Sequence, residues 1–106
     1  MIENLEAMLE RGQDSALLRF SLGNAYYGNG DPESALPHLE RALAQDAAYS
    51  AAWKLYGRCL ADAGRHREAV EAFDRGIDVA EGRGDIQAAK EMRVFRRRAE
   101  KALAAD

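Results

Sequence analysis

The chain has 106 residues, room for one domain and no more. Hydrophobic residues make up 47% and charged residues 31%, with two prolines, which excludes a disordered polymer and favours a folded helical protein. The formal net charge of -3 excludes a surface devoted wholly to nucleic acid, and the one cysteine, Cys59, excludes an internal disulfide or a cysteine-built metal cluster.

The opening residues, MIENLEAMLERG, are acidic and lack the basic start and apolar run of a secretory signal. No stretch approaches the ~20 apolar residues that span a bilayer. With a lone thiol, these features predict a cytoplasmic protein that does not engage a membrane. The abundance of Ala, Arg and Gly points to a GC-rich bacterial genome. Within the first segment, Leu5, Met8 and Leu9 share one helical face, and Gly12 stops that helix.

The second helix carries Leu18, Leu22, Ala25 and Tyr26 on one stripe and breaks at GNGD, Gly28 to Asp31. Asp31 can cap a third helix and Pro32 suits its first turn. Ala35, Leu36, Leu39, Ala42 and Leu43 form that helix's apolar face. Pro37 removes a backbone bond and crowds the carbonyl of Glu33, which predicts a loose or kinked first turn. After the turn DAAY, a fourth helix carries Trp53, Tyr56, Gly57 and Leu60, and Gly64 ends it. The fifth carries Ala69, Val70, Phe73, Gly76 and Ile77. EGRGD then breaks the chain, with Asp85 as cap for a last helix striped by Ile86, Ala89, Met92, Phe95, Ala99 and Leu103.

Small residues recur at a fixed interval. Gly23 matches Gly57, Gly30 matches Gly64 and Ala35 matches Ala69, each 34 residues on. Trp53, Tyr56, Gly57, Leu60, Gly64, Ala69, Phe73 and Gly76 in one unit, and Leu22, Gly23, Tyr26, Gly30, Ala35, Leu39 and Ala42 in the other, resemble the tetratricopeptide repeat (TPR) family. Arg19 stands where that pattern has a large aromatic residue, and Ala47 where it often has proline. LEAML at Leu5–Leu9 repeats LERAL at Leu39–Leu43, so the first helix resembles the second half of a missing unit. The expected organisation is all-α, a solenoid of antiparallel helical hairpins: a half-repeat helix over 1–12, repeats over 16–49 and 50–83, and a long capping helix over 85–104. Gly23 and Gly57 are expected at the hairpin crossings, faced by Ala35 and Ala69.

The resemblance implies a groove lined by the first helices of successive hairpins, where a partner lies. Helical spacing leaves Leu17, Phe20, Asn24 and Tyr27 on the second helix, and Ala51, Lys54, Arg58 and Asp62 on the fourth, outside the hairpin core. Phe20, Asn24, Tyr27, Lys54 and Arg58 are the candidate peptide-binding residues, with Phe20 and Tyr27 expected to be exposed, the alternative being that the terminal helices fold over them, and the positive charge suited to an acidic or carboxylate-bearing segment. The two-carboxylate clamp of some family members is absent as a set. Asn24 matches one clamp position, but Phe20, Leu55, Asp85 and Ala89 replace the others. A second candidate is the basic patch Arg93, Arg96 and Arg97 on the last helix, whose bland alternative is a solvated cap.

Catalysis is poorly served. His38 and His66 lack a paired carboxylate or thiol and read as solvated surface; Cys59 takes the slot of Ala25 and reads as a small buried hydrophobe. GNG and GRG follow no strand and read as turns rather than phosphate loops. The expected activity is non-catalytic binding of another protein or peptide by an adaptor, without cofactor, metal or nucleic acid, as a monomer or weak homodimer. The alternative is an assembly subunit acting through self-association or its last helix.

Overall fold

Several breaks in the sequence become helix ends through a local device, a capping side chain or a left-handed glycine. A computed structural model describes residues 1–105 as α1 (Ile2–Glu10), α2 (Ala16–Gly28), α3 (Pro32–Gln45), α4 (Ser50–Asp62), α5 (His66–Gly82) and α6 (Ile86–Ala105). Three starts are capped by side chains: Ser15 accepts from the Leu18 N–H at 3.1 Å, Asp31 from Ser34 at 3.2 Å, and Asp85 from Ala88 at 3.1 Å. At the ends of α2 and α4, Gly30 and Gly64 take φ of 76° and 81°. That left-handed turn lets the next N–H, of Asp31 or Arg65, reach back to the carbonyl of Tyr26 or Leu60. α3 runs unbroken from Pro32 to Gln45 with Pro37 inside it.

α2 pairs with α3 and α4 with α5 as hairpins, and α6 packs along α5. The helices stack so that α2 touches α4 and α4 touches α6, whereas α3 and α5 stay apart. First helices that meet inside and second helices that splay outside make a curved array, 43 × 32 × 18 Å in extent. The core runs through the stack: Leu22, Leu39, Leu60, Phe73 and Met92 are among its fully buried side chains.

The glycines sit at the close approaches, but their partners differ from the expected alanines. A Cβ on Gly23 would lie 2.6 Å from Leu39 Cδ2, and one on Gly57 would lie 2.6 Å from Phe73 Cζ. Ala35 and Ala69 are fully buried, yet the side chain laid across each glycine comes from one helical turn further on. A second close approach joins the hairpin to its cap. A Cβ on Gly76 would meet Met92 Sδ at 2.5 Å and Trp53 Cβ at 2.8 Å. Glycine there lets α4, α5 and α6 converge.

Arg19 is accommodated by polar partners instead of an aromatic slot. Its guanidinium donates to both oxygens of Asp14 at 2.9 Å, and its Nη1 lies 3.2 Å from His38 Nδ1. These bonds, with one from Gln45, hold the Asp14 carboxyl well below the usual carboxylate range. His38 stacks on Tyr26 with ring centroids 5.6 Å apart, and Tyr26 donates its hydroxyl to Glu6 of α1. His38 is therefore half-buried at the seam between α1, α2 and α3, not on an open face as the sequence reading expected.

Burial, then the Arg19 charge, push the His38 pKa below its ordinary 6.5. The folded imidazole releases its proton more readily than the unfolded one, so the unfolded chain binds more protons as pH falls below 6.5. The stability this group contributes is present above that pH and is lost as pH falls through the folded value. Urea midpoints of the wild type should drop between pH 7 and pH 5 by more than those of His38→Gln; equal drops would contradict the assignment.

Candidate functional site

The surface shared by α2, α4 and α6 carries all five groove residues named from the sequence. Asn24 is exposed, while Phe20, Tyr27, Lys54 and Arg58 are half-buried. Exposure of the two aromatic rings was expected, and the structure corrects it. Phe20 leans on Tyr49 at a centroid distance of 5.0 Å. Tyr27 lies under the Arg58 guanidinium at 5.3 Å and donates its hydroxyl to Asp62 Oδ2 at 2.8 Å. Burial first, then that bond, raise the Tyr27 pKa. The large apolar residues exposed on these three helices are Leu17 of α2 and Ile86 and Val94 of α6.

The two positive charges have different surroundings. Lys54 Nζ donates to Glu91 Oε1 at 2.7 Å, a bond that holds the Glu91 carboxyl below its ordinary range. Arg58 makes no hydrogen bond or ion pair among the described residues. Its guanidinium sits between two rings, 5.3 Å from Tyr27 and 4.7 Å from Phe95. A guanidinium held by aromatic faces keeps its N–H edge available for an acceptor. So the groove presents Arg58 as its unneutralised charge, and Lys54 as half of a bridge between α4 and α6.

The C-terminal patch divides in the same way. Arg93 pairs with Glu81, and Arg96 with Asp74 and Glu100, across α5 and along α6. Arg97 is exposed with no such partner among the described residues. Most of this charge ties the cap to α5 rather than standing free.

Three residues that the sequence reading did not place at the groove also contribute. Phe95 was expected in the core; it stacks on Phe73 at 6.0 Å, is only half-buried, and meets the guanidiniums of Arg58 and Arg98. Arg98, one turn on, lies 5.6 Å from the Phe95 centroid, a proximity that the three-residue spacing could have signalled. His66 was expected on solvated surface, yet its Nδ1 is buried without a hydrogen-bond partner.

The opposite side has another character. A cleft of about 450 Å³ between α3 and α5 is lined by Glu40, Glu68, Glu71, Trp53 and Tyr56, with Arg75 stacked on Trp53 at 4.8 Å. Burial and the neighbouring Glu40 push the Tyr56 hydroxyl up to about 12. Cys59 is fully buried, and burial pushes its thiol to about 12, which leaves it a packing residue without nucleophilic character. Among the described residues no group of His, Cys, Asp and Glu has the arrangement of a metal site, and no helix is long and apolar enough to cross a membrane.

The comparisons with known proteins agree with this architecture. The tetratricopeptide repeat profile matches residues 20–86. A TPR repeat-containing protein of Pseudomonas aeruginosa is 49% identical over 102 residues, covering 96% of this chain and 97% of that one. A protein of Bordetella parapertussis known from a solution structure is 43% identical, with a TM-score of 0.86 over 100% of this chain and 92% of that one. A heat-shock protein cognate co-chaperone of Aspergillus fumigatus is 38% identical over 66 residues, 62% of this chain but 19% of its own length. The 34-residue period, the stacked hairpins and relatives matched nearly end to end show that this chain belongs to the tetratricopeptide repeat family.

Proposed function

We propose that the chain is a non-catalytic interaction module that captures an acidic segment of another protein on the α2–α4–α6 surface. TPR arrays generally mediate contacts between proteins, and short arrays of stacked hairpins offer a continuous inner face for the purpose. The observation that carries the reading is the charge difference between the two sides. The inner surface holds Arg58 without an ion pair among aromatic rings, whereas the outer cleft sets Glu40, Glu68 and Glu71 against Arg75, with Glu68 bridged to Arg65. An acidic segment is attracted to the first and repelled by the second.

Phe20 and Tyr27 supply apolar contact, Asn24 an exposed amide and Arg58 the charge-assisted bond. Lys54 adds positive potential while bridged to Glu91. Two repeats give a short groove, so the interface should bury below ~1,200 Å² and hold its partner at about micromolar strength. Arg58→Gln should weaken binding about tenfold, equivalent to ~1.4 kcal/mol. The exchange Lys54→Glu with Glu91→Lys, which keeps the bridge, should weaken it less. Titration calorimetry at two salt concentrations checks both, since exposed charges are screened beyond roughly 8–10 Å at physiological ionic strength. Unchanged affinity in Arg58→Gln, with binding lost in Arg93→Glu/Arg97→Glu, would move the site to the last helix.

A further inference from the structure

Beside the groove, a concave pocket of about 260 Å³ opens between the C-terminal ends of α4 and α6. Phe95 and three alanines, backed by the fully buried Phe73, form its apolar lining, and Tyr27, Arg58, Asp62, His66 and Arg98 supply the polar one. Two observations on this pocket call for a ligand group that the chain itself does not provide.

The first is uncompensated charge. Arg58 and Arg98 place their guanidinium carbons 4.7 and 5.6 Å from the centroid of one ring, Phe95. Neither makes an ion pair or hydrogen bond among the described residues. The other α6 arginines that face α5, Arg93 and Arg96, are both paired. Asp62 is the one carboxylate in the lining, and it accepts the Tyr27 hydroxyl at 2.8 Å. Both guanidiniums line the one pocket, where an anion would meet two positive donors.

The second observation is His66. It lines the same pocket, and its Nδ1 is buried with no partner. A buried ring nitrogen left unsatisfied costs free energy, and a turn of the imidazole that presents it to an acceptor in the pocket would recover that cost. The apolar lining sets the rest of the ligand's character. Phe95 and the alanines favour methylene groups over a compact, fully hydrated ion.

We infer that this pocket receives the side-chain carboxylate of a glutamate or aspartate from the partner segment, with Arg58 and Arg98 as its counter-ions, His66 as a donor and the apolar lining against its methylenes. The inference deepens the groove reading and rests on it for the source of the side chain. It differs from the two-carboxylate clamp, whose positions here hold Phe20, Asn24, Leu55, Asp85 and Ala89.

The test needs no identified partner. The ¹⁵N-labelled full chain is titrated at low salt with N-acetyl-glutamate N-methylamide, with the corresponding blocked glutamine and with inorganic phosphate. Saturable shifts of the His66 ring signals and of the Arg58 and Arg98 Nε–H signals are expected with the glutamate probe and not with the glutamine probe. Arg98→Gln should weaken the glutamate probe at least fivefold, and Arg58→Gln with Arg98→Gln should abolish its binding, while the circular dichroism melts stay cooperative. His66→Gln should weaken it by a smaller factor. Equal shifts with glutamine, no shifts with glutamate, or tighter binding of phosphate than of glutamate would each overturn the inference. Failure of the groove reading looks different: the glutamate probe still saturates the pocket, while Phe20→Ala and Asn24→Ala leave affinity for a full partner unchanged.

Discussion

A chain cut after Asp85 is expected to lose its cooperative unfolding transition and to aggregate. The last helix does more than cover an end. Its Met92 is fully buried and fills the space left by the absent side chain of Gly76. Ala89 and Ala99 are buried beside it, and Phe95 covers the face of Phe73. Lys54, Glu81 and Asp74 all lose partners when α6 is removed. Burying one large apolar side chain contributes about 1.5–3 kcal/mol, and removal of α6 both deletes Met92 and uncovers Phe73 and its neighbours. Several such losses equal the ~5–15 kcal/mol that holds a whole domain. Thermal melts by circular dichroism with sedimentation velocity check the result. A soluble, monomeric and cooperatively melting fragment would show that α6 is not part of the cooperative unit.

Gly57→Ala should cost about 1–3 kcal/mol, and Gly23→Ala distinctly less. In a helix, alanine replacing glycine gains up to about 1 kcal/mol, so a loss requires a clash that exceeds this gain. At Gly57 the new methyl would meet the ring of Phe73, with Cζ at 2.6 Å and Cδ1 at 2.7 Å. That ring is fully buried and stacked on Phe95, so it cannot swing aside. At Gly23 the methyl would meet Leu39, whose terminal carbons can change rotamer. Urea midpoints of the two variants give the order, and Gly57→Ala with Phe73→Leu should recover part of the Gly57→Ala loss. Equal stability of Gly57→Ala and wild type would contradict the crossing described here.

The elements were legible where the signal is local. Gly30 and Gly64 end helices because a left-handed residue is needed there, and Asp31 and Asp85 start them because an acceptor is needed there. Each requirement involves four or five consecutive residues, so it can be read from the chain alone. The facing of Gly57 by Phe73 instead of Ala69 was not legible, because the offset of one turn depends on how the two helices cross.

The candidate surface was legible in outline and not in its charges. Helical spacing put Phe20, Asn24 and Tyr27 on the open side of the second helix and Lys54 and Arg58 on that of the fourth, and gave no sign that α6 adjoins them. It could not show that Glu91 neutralises Lys54, since that pair spans 37 residues and depends on the register of α6 against α4. The same holds for Arg58. Its lack of an ion pair among the described residues, and its place between Tyr27 and Phe95, arise from three helices meeting. His38 and His66 read as surface because each stands at the start of a polar stretch. Both are half-buried because Tyr26 packs on the first and the α4–α6 junction encloses the second.

The proposed binding of a partner to the surface of α2, α4 and α6 can be mapped by amide shifts of the ¹⁵N-labelled chain as a partner retrieved by pull-down is added. The perturbed signals should cluster at Phe20, Asn24, Tyr27, Lys54 and Arg58 and fade as salt is raised. Perturbations confined to Arg93, Arg96 and Arg97, or to the outer cleft around Glu40 and Glu71, would contradict it.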